Sequence, residues 1–257
     1  RAIDALEEAG IRAVFGHGTP KPKLNESGVP TEEHLHPRDE VKRIREQRLF
    51  DGTGLLSMAM CIRGPDLASL EACQHDIDLA RDFGLVASMH VGGRMHFNRC
   101  TKDGIEKLAE SGHLGPHINI VHGNKLTEAE IAALAEAGAS FTTTPEVEMQ
   151  MGHGLPITGR VRKHGIEPSV GIDVETNIGT NMLQAARFAL QVQRGVDNIA
   201  VNDAGDEVRS TSIPARHALG WATIEGAKAL GLDSKIGSLR PGKQADIILI
   251  KQVFDCK

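Results

Sequence analysis

Residues 85–122 read LVASMHVGGRMHFNRCTKDGIEKLAESGHLGPHINIVH, and the plan of the whole chain can be built outward from them. An apolar run at 85–89 halts at His90, helical periodicity occupies 104–111, and a second apolar run at 118–121 halts at His122. Strand, helix and strand in that order imply two parallel strands joined by a crossover helix. Further along, Ser169-Val170-Gly171-Ile172 is a third such run, and it halts at Asp173. In a barrel of alternating strands and helices the carboxyl ends of all strands open on one face. Two imidazoles and a carboxylate gathered on that face can share one divalent metal ion.

The flanking sequence keeps the same rhythm. A helix over 2–10, closed by glycine, precedes a strand at 12–15 that finishes at Gly16-His17-Gly18. A polar, proline-bearing loop spans 19–40 and leads into a helix over 37–49. The next strand, 55–62, ends in Arg63-Gly64-Pro65, and a helix over 69–83 follows with Ser69 as its N-cap. Ala72 stands where a capping box would need Glu or Gln. A helix over 127–137 stops at Gly138, a strand rich in β-branched residues covers 140–144, and a long helix covers 181–194. Six strands are two short of a closed eight-stranded barrel. Open edges beside 12–15 and 169–173 predict self-association, because an unpaired strand edge recruits other chains.

Composition narrows the function. The 257 residues are 40% hydrophobic and 25% charged, as in an ordinary soluble domain. A formal net charge of -5 with no basic patch argues against nucleic acid and anionic membranes as partners. One Trp, seven Phe and no Tyr leave an aliphatic core and no stacking platform for bases. Cys61, Cys73, Cys100 and Cys256 show no C-x-x-C spacing, which excludes a zinc ribbon and favours a reducing, cytoplasmic setting. No apolar stretch approaches the length that crosses a bilayer, and no signal-peptide pattern opens the sequence.

The tail carries the most specific string. Residues 237–250, GSLRPGKQADIILI, resemble the segment by which metal-dependent amidohydrolases leave their barrel and enter a small β-sandwich. Residues 222–232, ATIEGAKALGL, fit the same superfamily, and His90, His122 and Asp173 occur in its order. The resemblance is nearest to the cytosine deaminase and triazine hydrolase branch. It implies a TIM-type (β/α)8 barrel over 1–236 with strands three to eight present, and the start of a β-sandwich over 237–257. It further implies one divalent metal ion, zinc ahead of iron, with His90 as the strand-five ligand and Asp173 as the strand-eight ligand. His122 becomes the strand-six residue at the metal, its water or the substrate.

Two departures from the family pattern stand out. The strand-one His-x-His pair is missing, since His34-Leu35-His36 has the right spelling but lies in a polar loop after the strand at 12–15. The chain is therefore expected to lack strands one and two. In deaminases of the branch a Glu that shuttles a proton follows the strand-five His by three positions, and Gly93 stands there instead. Glu146 or Glu148 is the substitute on offer.

The resemblance implies attack of an ionised water on a C-N or C-Cl bond of a small cyclic amide, amidine or heteroaromatic ring. Asp173 acts as general base and then acid, and His122 stabilises the growing negative charge. His17, Arg94, Glu146 and His153 are the candidate substrate contacts, and Arg94, His96 and Arg99 form a small basic cluster. A fragment without activity and a ligand-binding module remain competing readings.

Overall fold

The computed structural model describes residues 1–19, 23, 25–26, 33–48, 54–93, 99–176, 178–179 and 181–250. Arg94 and His96, two members of the basic cluster, lie outside them, as does 251–257.

Helix α1 (Ala2–Ala9) leads into β1 (Ala13–Gly18), and α2 (Arg38–Gln47) returns to β2 (Leu56–Arg63). Helix α3 (Leu70–Asp82) starts where the Ser69 hydroxyl accepts the Ala72 N–H, and β3 (Ala87–Val91) and α4 (Gly104–Glu110) follow. After β4 (Ile118–His122) comes α5 (Glu128–Glu136), opened by a full capping box between Thr127 and Glu130. Strand β5 (Ser140–Thr143) is followed by two short helices, α6 (Pro145–Gln150) and α7 (Thr158–Lys163), before β6 (Ser169–Val170). Helix α8 (Met182–Asp203), capped by Asn181, then precedes α9 (Ala215–Trp221) and α10 (Ile224–Ala229).

The six strands among the described residues are parallel and lie in sequential order, six of the eight that close a TIM-type barrel. Alternation along each strand sorts the side chains into two layers. Met58, Met60, Ile62, Ala87, Met89, Val91, Ile118, Ile120 and Phe141 pack against Val41, Ile44, Ile77, Ile105, Leu108, Ile131 and Leu134 of α2 to α5. The opposite face carries a hydrogen-bonded ladder of small polar groups: Asn119 donates to Ser88 at 3.0 Å, Ser140 and Thr142 donate to Asn119, and Thr142 meets Ser169 at 2.7 Å. This ladder satisfies polar side chains that face the barrel axis.

Three outcomes differ from the sequence expectations. The region after β5, expected as loop, contains α6, and Pro145 at its first turn with Glu146 and Glu148 beside it is an ordinary helix start. The last strand is shorter than 169–173, since pairing ends at Thr143 with Val170. Helix α8 runs nine residues past Arg194, and its buried anchors Ala185, Ala186, Ala189 and Leu190 pack with Trp221 and Val170 in its first half. Residues 237–250 form no strand, and Ile247, Ile248, Leu249 and Ile250 are exposed.

Candidate active site

His90 is the fourth residue of β3 and points away from the helices, because its neighbours Met89 and Val91 are sealed in the helix layer. His122 closes β4 with a left-handed backbone, φ 73, and Asp173 follows β6 with φ 66. Only Asp103 shares that conformation among the described residues other than glycine. Such a backbone disfavours an L side chain, so its presence at both positions marks where surrounding structure imposes geometry.

The His90 and His122 ring centroids are 5.0 Å apart, and the His122 and His153 rings are 5.1 Å apart and nearly perpendicular. Surrounding protein lowers the pKa of His90 first of all, His122 and His153 lower it further, and the Asp173 carboxylate pulls it back up. For His153 burial again acts first, then His122, with Glu148 and Asp173 opposing. Both rings are therefore neutral at pH 7, with lone pairs available to a ligand. Asp173 is thus in electrostatic reach of both imidazoles, and its side chain is open to solvent.

Glu148 lies behind His122 and is fully buried. Its carboxylate accepts the Thr144 N–H at 2.7 Å, the Thr143 hydroxyl at 3.0 Å and the Asn124 amide at 3.2 Å, and stands 3.3 Å from His122 Nδ1. Burial raises its pKa, but the bonds from His122, Thr144, Asn124 and Thr143 outweigh that and keep it below the ordinary value. Glu146, on the same helix, is half-buried and accepts a 3.5 Å bond from Gln184 of α8.

Other expected contacts are placed elsewhere. His17 lies two residues from Phe15, on the side of β1 that packs against the helix layer. Its Nδ1 meets His36 Nε2 at 2.7 Å, and Glu40 and Arg43 of α2 are the charges that act on it. These neighbours belong to β1, to the segment before α2 and to α2 itself. Arg94 lies outside the described residues. Arg99, from the same basic cluster, is a buried structural cation paired with Asp66 and Glu130 and is closed to any substrate. Thr143, Thr144 and Asn124 were not anticipated; Pro145 followed by Glu146 and Glu148, an ordinary helix start, is the signal that could have found them.

The donor chemistry suits a divalent cation in part. Imidazoles of His90, His122 and His153 meet one another near one carboxylate, and the His153 Nδ1 atom is buried without a hydrogen-bond partner. Among the described residues, however, no three His, Cys, Asp or Glu side chains close on one point.

A sequential parallel sheet with such groups on its strand ends places the chain among (β/α)8-barrel proteins. Solved structures of similar fold include an adenosine deaminase from Xanthomonas campestris with bound zinc, at 22% identity and a TM-score of 0.73, covering 95% of this chain and 53% of that one. A variant of atrazine chlorohydrolase from Arthrobacter aurescens TC1, complexed with zinc and atraton, is similar at 21% identity and a TM-score of 0.77, covering 95% and 54%. By sequence the chain is 28% identical over 256 residues to 5'-deoxyadenosine deaminase of Methanothermobacter thermautotrophicus, covering 96% of this chain and 55% of the relative. It is 29% identical over 272 residues to 8-oxoguanine deaminase of Pseudomonas aeruginosa, covering 98% and 57%. The family model of the amidohydrolases matches residues 1–256, and the chain belongs to the amidohydrolase family. It spans about half the length of the curated relatives it matches. No described helix is long and apolar enough to cross a membrane.

Proposed function

We propose that this chain is the larger part of a metal-dependent hydrolase that attacks a C-N or C-Cl bond of a small cyclic amide, amidine or heteroaromatic substrate. The observation that carries the reading is the meeting of His90, His122 and His153 beside Asp173 at the carboxyl ends of the strands. His90, His122 and Asp173 would hold one ion, zinc rather than iron. When bound, a divalent ion lowers the pKa of water from about 15.7 toward 7. Asp173, exposed at the mouth, takes the proton of the attacking water and returns it to the leaving group. Turned to the attacked centre in place of the ion, His122 instead stabilises the negative charge that grows there. His153 and Glu146 contact the substrate from the β5 side.

The test is zinc analysis of the purified chain, joined to assays of ammonia or chloride release from aminated purines and chlorinated triazines. Stoichiometric zinc with release supports the reading. A zinc-loaded chain that releases neither from any of these substrates overturns it.

One observation favours a second reading, a ligand-binding module without turnover: no three donors close on one point among the described residues. Thermal stabilisation by a heterocycle without product formation is its signature. We also take 237–257 as the start of a separate β-sandwich segment and the cytoplasm as the compartment. The outer edges of β1 and β6, unpaired among the described residues, are the surfaces through which copies associate, and a monodisperse monomer in sedimentation counts against this.

A further inference from the structure

We propose that Glu148 is the positioning residue of the site: its carboxylate fixes His122 as the Nδ1–H tautomer and so presents the Nε2 lone pair to the strand-end opening. This rests on the reading of His122 as a working residue of the hydrolase, and it names how that residue is made fit for the task.

The geometry leaves one consistent assignment of protons. Glu148 Oε1 stands 3.3 Å from His122 Nδ1, and the Thr144 hydroxyl oxygen stands 3.1 Å from the same nitrogen. That hydroxyl is also within 3.3 Å of Glu148 Oε1 and can donate its proton there. An ionised carboxylate only accepts, so a lone pair on Nδ1 would confront the Glu148 oxygen; a proton on Nδ1 satisfies both neighbours. The carboxylate is itself held on its other sides by the Thr144 backbone N–H, the Thr143 hydroxyl and the Asn124 amide. These donors come from the ends of β4 and β5, so the acceptor is rigid relative to the ring it orients. Thr144 is the residue just after β5, and Glu148 is four residues on, one turn into α6, which is why the carboxylate reaches back over the strand end.

Two consequences follow for the ring. With Nδ1–H committed, Nε2 serves as a metal ligand or a proton acceptor, and it donates to an oxyanion only after taking up a proton. A carboxylate behind an imidazole fixes both its tautomer and its ring orientation, which favours both uses. Glu148 is also removed from the list of proton shuttles to the substrate, because it is fully buried and turned to the back of His122. Glu146 is left as the acidic side chain of α6 that can serve in front.

The experiment reads the His122 tautomer directly by long-range 15N–1H NMR on metal-free protein, in the wild type and in Glu148→Gln. The wild type is expected to show a protonated Nδ1 and a bare Nε2; a bare Nδ1 overturns the proposal. In E148Q the new amide can donate to Nδ1, so the proton is expected to move to Nε2 and zinc alone to bind about 10- to 100-fold more weakly. An unchanged tautomer in a folded E148Q overturns the proposal, and should E148Q not fold, the wild-type spectrum decides. Thr144→Val, which removes only the hydroxyl, is expected to keep Nδ1 protonated; loss of that proton would assign the orientation to Thr144 instead. An absence of hydrolysis alongside the expected tautomers would count against the hydrolase reading alone.

Discussion

His90 and His122 meet with ring centroids 5.0 Å apart although the register of their strands sets them on opposite faces of the sheet. The partner of His122 is Val91, whose side chain is sealed in the helix layer, and the partner of His90 is Val121. The contact exists because His122 leaves the extended conformation, with φ 73, at the last residue of its strand. Its side chain is thereby swung from the helix side over the end of the sheet.

Asp173→Asn keeps the size and exposure of the side chain but removes the proton acceptor. Turnover is expected to fall about 100- to 10,000-fold, the range for a lost general acid-base group. The melting temperature is expected to stay where it was, since the side chain is exposed. Steady-state kinetics beside a thermal melt decides; unchanged turnover removes Asp173 from the mechanism.

Gly92→Ala tests the close approach of the loops that follow His90 and His122. A Cβ at 92 would lie 3.0 Å from the Cα and carbonyl carbon of Gly123, and the residue holds φ +77. Backbone atoms cannot step aside as a side-chain tip can, so the variant is expected to lose about 1–3 kcal/mol of stability. Urea denaturation gives the figure, and a loss below the error of that method would show the two loops to be free of one another.

Arg99→Ala would leave two buried carboxylates without their cation. The Arg99 side chain is fully buried, its Nε stands 3.1 Å from Asp66, and its Nη1 bonds Glu130, the capping-box residue of α5. Asp66 in turn accepts the Gly92 N–H at 3.0 Å, so the network ties together the loops that follow β2, β3 and β4. Breaking one partner of a buried pair costs about 3–5 kcal/mol. Chemical denaturation of R99A beside R99K measures it, with the lysine variant intermediate because it keeps charge but loses the planar fork.

Acid is expected to weaken the fold through His36. Its ring is 1% exposed, and burial, followed by repulsion from His17, His75 and Arg63, holds its pKa at about 4 against an ordinary 6.5. Below pH 6.5 the unfolded chain takes up a proton that the folded ring refuses. Stability from this residue is therefore complete above about pH 6.5, declines as pH falls toward 4, and changes no further below that. The whole effect is on the order of 3 kcal/mol. Denaturant midpoints across that window should fall more steeply for the wild type than for His36→Asn; parallel curves would refute the assignment.

Much of this was legible along the chain. Apolar runs ending at His90 and His122 marked β3 and β4 because alternate residues, Ala87 and Met89 in one and Ile118 and Ile120 in the other, pack into the helix layer. Ser69 and Thr127 announced their helices because cap side chains act on neighbours three residues away, a purely local effect. The surroundings of His17 were not legible, because a strand end in sequence does not say which face the side chain takes; Phe15, two residues before it, packs against the helix layer. Arg99 was grouped with Arg94 and His96 in a basic cluster because its true partners, Asp66 and Glu130, lie 33 and 31 positions away.

Sequence by itself determined the order of strands and helices, the residues that stand at strand ends and the family they belong to, since periodicity, capping and motif spacing act over short range. Tertiary structure alone decided which of those residues share a site. That choice depends on register between strands, on the left-handed turn at His122 and on the burial of Glu148 behind it, and each of these is set by contacts between segments far apart in the chain.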